Sequence, residues 1–145
     1  MGASVLGPGE GERLGLGPAT VVLKASGDET GGALAVAEVT MAPGVPGAGL
    51  HRHEDAHVVV VVLEGVARLR LGAEARELPP GATAVVPPGT AHALANAGDG
   101  PARLLVVLAP AGAEDYLREV MARGVVDPGE LGRMAARYGI APAEG

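Results

Sequence analysis

Short apolar runs separated by Gly and Pro fill the first 110 residues, at the spacing of strands joined by turns. The pattern predicts strands over 19–25, 33–41, 66–71, 74–78, 82–86, 91–95 and 102–109. Within 66–71, Ala67, Leu69 and Leu71 fall on one face while Arg68 and Arg70 fall on the other, as in a half-exposed antiparallel strand. The most apolar stretch, 51–64, contains Val58 to Leu63 without a polar interruption. Its five β-branched residues in succession favour strand over helix. Apolar side chains at both parities require cover on two faces: a core on one, and a neighbouring layer, a helix or a second subunit on the other. Residues 26–32 read as a polar turn, and 1–18 as a flexible or loosely docked arm.

The period changes after Pro110. Tyr116, Leu117, Val120 and Met121 recur at helical spacing between Ala113 and Arg123, and Gly124 supplies a stop. Asp127-Pro128 is a helix start, with a capping acceptor followed by Pro in the first turn. Leu131, Met134, Ala135 and Tyr138 continue as an apolar stripe up to Gly139. Tyr116 and Tyr138 read as packing residues. Many strands followed by two short helices predict an all-β barrel or sandwich with a helical appendage. The expected organisation is an arm over 1–18, a barrel over 19–110 and a helical tail over 111–145.

Composition narrows the functional classes. A chain of 145 residues holds one core, and 24 Gly with 12 Pro supply many corners. With no Cys, a disulfide framework, a thiolate metal site and a cysteine nucleophile are excluded. A formal net charge of −6 and a lone lysine, Lys24, oppose nucleic-acid binding. No Phe or Trp is present and there are two Tyr, so no stacking platform for single strands is expected. The run 58–63 is too short to span a bilayer, so no membrane association is expected. The first 18 residues lack the basic start and apolar core of a secretion signal, and a cytoplasmic location is the expectation.

The chemistry concentrates in His51, His53, His57 and His92, the whole histidine inventory. In one regular strand, His51, His53, Asp55 and His57 project to the same side. Equal-parity neighbours stand about 6–7 Å apart at Cα, a separation two ligands of one metal can use. Neutral imidazoles suit Zn, Fe, Ni or Cu. A His-x-His pair alone is also an ordinary strand feature. This one gains weight from its position at the entrance to the most apolar strand and from a second motif downstream.

Residues 81–96 carry Gly81, Pro87, Gly89, His92 and Asn96 in the pattern G-x5-P-x-G-x2-H-x3-N. This resembles the second motif of the cupin family without a gap. His51-Arg52-His53, with Gly65 beyond, resembles the first motif in part, and the resemblance covers roughly residues 33–110. It implies a double-stranded β-helix, or jelly-roll barrel, with one divalent transition metal on His51, His53 and His92. Asn96 is then a structural hydrogen-bonding residue, and Leu94 shares the His92 face. The first motif's usual carboxylate ligand has no clear counterpart. Either His57 takes its place, giving His51, His53, His57 and His92 as ligands, or the site has three histidines. Glu54 and Asp55 are the neighbouring carboxylates, more ordinarily solvated.

Such a site supports a metal-dependent small-molecule enzyme. The resemblance points to dioxygenase-like oxidoreductase chemistry on a phenolic, dicarbonyl or enol substrate, with Fe favoured over Zn, Ni, Cu or Mn. An unligated His57 would be the candidate general base. The alternatives are a non-catalytic cupin that binds a metabolite or metal, and a metal-dependent isomerase or cyclase. A homodimer is expected, since the strand at 58–63 needs a second cover and barrels of this family commonly pair.

Overall fold

The computed structural model describes residues 2–15, 19–44, 49–124 and 127–143. Eleven strands are present among these: β1 (Glu12–Arg13), β2 (Ala19–Ala25), β3 (Ala35–Met41), β4 (His51–His53), β5 (His57–Glu64), β6 (Ala67–Leu71), β7 (Glu74–Leu78), β8 (Thr83–Val86), β9 (His92–Asn96), β10 (Ala102–Ala109) and β11 (Ile140–Pro142). Three helices accompany them: α1 (Gly27–Thr30), α2 (Ala113–Arg123) and α3 (Pro128–Ala136). The strands form a six-stranded sheet in the order β1-β2-β3-β10-β5-β8 and a five-stranded sheet in the order β11-β4-β9-β6-β7. Every described pairing is antiparallel. This is the expected all-β jelly roll with two short C-terminal helices.

The valine run forms β5, between β10 and β8. Val58, Val60 and Val62 are buried with Met41, Val86 and Leu104 in the main core. The opposite parity does not enter it. Val36, Val107, Val59 and Val85 stand in register across four adjacent strands on the outer face, where Val85 is 62% exposed. The C-terminal helices do not cover this row, since Leu117 of α2 packs against the inner-face cluster of Leu14, Val21, Leu23, Ala35 and Ala37.

Corner residues close the barrel. At Gly65 the backbone takes φ +76°, and a Cβ would collide with the Pro101 carbonyl and Ala102. Only glycine allows the chain to leave β5 against the start of β10, next to the register shift at Arg103–Leu104. The arm expected over 1–18 is docked where it is described. Glu12 and Arg13 pair with β2, Leu14 is 2% exposed, and the Lys24 ammonium donates to the carbonyls of Gly7 and Glu10. Within the polar turn expected at 26–32, residues 27–30 form the single-turn α1. No described helix is long and apolar enough to cross a membrane.

Candidate metal centre

Strand β4 places His51 and His53 on one side, with Arg52 on the other, bonded to Glu54 at 2.8 Å. Strand β9 runs antiparallel to it, and His51 lies directly opposite His92. The three rings converge, with centroid separations of 4.6 Å for His51–His92, 5.3 Å for His51–His53 and 5.6 Å for His53–His92. One nitrogen from each lies within 4.8 Å of the others, a group able to hold a metal ion.

The backbone orients these rings. The His51 Nδ1 lies 2.8 Å from the Gly49 carbonyl and the His92 Nδ1 2.9 Å from the Thr90 carbonyl. A carbonyl only accepts, so Nδ1 carries the proton in each and the lone pair falls on Nε2. This is the arrangement by which metal-ligating imidazoles are commonly fixed in tautomer and direction. The turn bearing the second motif is also tied to the first, since the Gly89 N–H donates to the His53 carbonyl at 2.8 Å.

Burial first, then neighbouring His51 and His92, pushes the His53 pKa down to about 4. His92 is lowered too, mainly by burial and further by His51, although its bond to the Thr90 carbonyl opposes the shift. Both are therefore neutral near pH 7, with lone pairs available. The donor set fits a divalent transition metal: three converging imidazoles, two of them backbone-oriented, on the cavity wall.

His57 is not brought into this group. It is exposed at the first position of β5 and pairs with Ala109 in the other sheet. The common parity expected for 51, 53 and 57 assumes a continuous strand. The bend at Glu54 and Asp55 breaks that strand and sends its halves to different sheets. Glu54 and Asp55 are exposed and likewise outside the group. Asn96 has the structural role expected of it: its amide donates to the Met41 and Gly100 carbonyls at 3.0 and 2.9 Å, and its oxygen accepts from the Gly98 N–H at 2.8 Å.

A cavity of about 880 Å³ opens from the three histidines toward α2 and α3, and Leu94 lines it with His92, as expected. Two contributors escape a reading of the sequence. Strand β11 pairs with β4, setting Ile140 opposite His53 and Pro142 opposite His51. Three residues ending in Pro carry no period by which to find it. Glu114 is 4% exposed and accepts from the Gly27 and Gly112 N–H groups, fastening α2 to the α1 turn. A lone acid near a helix start gives no such signal.

Comparison with known proteins agrees with this fold. A family model described as a cupin domain matches residues 37–108. The solved structure of KdgF from a Halomonas species superposes with a TM-score of 0.61 at 21% identity, covering 69% of this chain and 87% of that one. A structure described as a predicted oxalate decarboxylase from Thermotoga maritima gives 0.58 at 19%, covering 63% and 80%. At those identities the likeness shows the fold. A structure described as a sugar phosphate isomerase from a cupin superfamily, from Silicibacter pomeroyi, gives 0.56 at 28%. It is covered over 61% of its own length and covers 66% of this chain. No curated protein matches the chain.

Proposed function

The chain belongs to the cupin superfamily, and from that premise we propose a metal-dependent enzyme acting on a small molecule, of the dioxygenase-like oxidoreductase type. The observation that carries this reading is the convergence of His51, His53 and His92 on the wall of a cavity large enough for a substrate. His51 and His92 would bind a divalent metal through Nε2, with His53 as the third donor. A divalent transition metal held by these imidazoles would supply Lewis-acid chemistry toward a chelating enol or dicarbonyl, and redox chemistry toward O₂.

The chain's own residues do the rest. The Gly49 and Thr90 carbonyls hold two imidazoles in one tautomer. The aliphatic walls orient a substrate and exclude water from the reacting end. No free acid or base is supplied by Glu114, the one carboxylate on the described cavity wall, because both its oxygens accept backbone N–H bonds. This favours chemistry driven by the metal and an already acidic substrate. The commitment of Glu114 to the backbone also supports a second reading, a non-catalytic cupin that holds a metabolite. The likeness to a protein described as a sugar phosphate isomerase supports a third, metal-dependent isomerisation.

Oxygen consumption by the Fe(II)-loaded full chain, over a panel of flavonols and 1,3-diketones, tests the proposal. Substrate-dependent uptake that disappears in His92→Ala is the expected result. Stoichiometric metal without uptake on any member would overturn the oxygenase reading in favour of binding or isomerisation.

A further inference from the structure

The cavity wall is chemically uniform. Beyond the three histidines, its described polar side chains are Glu114 and Tyr116. Glu114 is committed to Gly27 and Gly112, at 2.8 and 2.6 Å. Tyr116 has no hydrogen-bond partner among the described residues, and burial raises its pKa. The remainder is apolar, aliphatic but for Met41, proline and glycine: Leu94, Leu104 and Val106 come from the strands, Leu117 and Leu131 from the helices. No Lys, Arg, Asn, Gln, Ser or Thr lines it among the described residues.

This wall discriminates between ligand classes. A phosphate monoester carries close to two negative charges; beyond the one metal site, which an oxygen-donor head would take, the described wall offers no second cation and no set of N–H donors, and burying the charges there is strongly unfavourable. A polyol loses water from each hydroxyl and regains few partners. A hydrocarbon body gains from every methylene it buries. We infer that the natural ligand is an aliphatic molecule with a single oxygen-donor head, whose body occupies the space between the inner sheet face and α2–α3, and that phosphorylated and polyhydroxylated substrates are rejected. The position of the head rests on the metal reading above; the preference for an aliphatic body rests on the wall alone. The isomerase likeness then extends to the fold and not to the substrate class.

The test uses the Co(II)-loaded full chain, titrated with acetohydroxamate, octanohydroxamate and ribose 5-phosphate and followed by calorimetry and the Co(II) visible bands. The two hydroxamates share one head and differ by six methylenes, so burial of the tail predicts about 100-fold or more in affinity. Leu117→Gln should reduce that ratio about tenfold, which places the tail in the cavity and not on the outer valine row. Equal binding of the two hydroxamates, or ribose 5-phosphate binding as tightly as octanohydroxamate, would overturn the inference. If Leu117→Gln does not fold, the wild-type ratio still decides. A second arm needs no metal: displacement of anilinonaphthalene sulfonate from the metal-free chain by 1-octanol but not by ribose 5-phosphate supports an aliphatic cavity, and the reverse overturns it. Failure to take up Co(II) would strike the metal reading alone, and the 1-octanol arm would still decide the cavity.

Discussion

His51 on β4 and His92 on β9 lie directly opposite one another on neighbouring antiparallel strands, with ring centroids 4.6 Å apart. One residue comes from each half of the sequence signature, so the register of this one pair assembles the site. His51→Ala or His92→Ala should lower Co(II) or Zn(II) affinity at least about 100-fold, since each removes a proposed ligand and even supporting residues are worth about 10–100-fold. His57→Ala should leave it unchanged within about threefold. Competitive chelator titration reads both outcomes.

Asn96 should matter for stability and not for the metal. Its side chain makes three bonds to the backbone at 8% exposure, and Asn96→Ala leaves those backbone groups short of partners. A loss of about 2–3 kcal/mol is expected in urea unfolding of the metal-free chain. Once refolded, the variant should bind metal as tightly as the parent.

Gly65 and Gly72 both have positive φ, +76° and +58°, but only Gly65 has backbone where a side chain would go. Gly72→Ala should cost about 1 kcal/mol, the penalty of the left-handed region alone. Gly65→Ala should cost at least about 2 kcal/mol, because the Pro101–Ala102 backbone must move as well. Similar melting temperatures for the two variants would contradict this role for the corner.

Glu119 joins the two C-terminal helices. It accepts from the Tyr138 hydroxyl at 2.5 Å and from Arg137 at 2.7 Å, with Arg123 at 3.3 Å. The Tyr138 bond, then those to Arg123 and Arg137, hold its carboxyl below the ordinary range against an opposing effect of burial. A lowered carboxylate contributes stability that is fully present above the unfolded pKa and is lost as pH falls through the folded value. Urea unfolding of the parent and of Glu119→Gln should therefore differ at pH 7, and the difference should shrink progressively as pH falls below the ordinary Glu value of about 4.3. A difference that does not depend on pH at all in the acid range would contradict the assignment.

How much of this molecule is legible in its sequence depends on how locally each feature is encoded. The second motif sits within residues 81–96, with glycines at fixed corners, so the family resemblance those residues carry is enough to point to His92 and Asn96. His51 and His53 need only the alternation of one short strand. Alternation misplaces His57 because it says nothing across a break, and Glu54–Asp55 is the break. The valine run suggests burial on both faces, yet Val59 and Val85 face outward, since a β-branched run records strand preference as readily as burial. Strand β11 is too short to show a period, and the cavity joins Leu94 to Leu117 and Leu131, which sequence cannot bring together.

The central claim is that three histidines, and not four, hold one divalent metal. X-ray absorption on the Co(II)- or Zn(II)-loaded full chain, purified without a histidine tag, counts the imidazoles on the metal directly. The account predicts one metal per chain with three imidazole ligands, the remaining positions filled by light O or N donors, and the same spectrum in His57→Ala. A fourth imidazole that disappears in His57→Ala, or no bound metal, would contradict it.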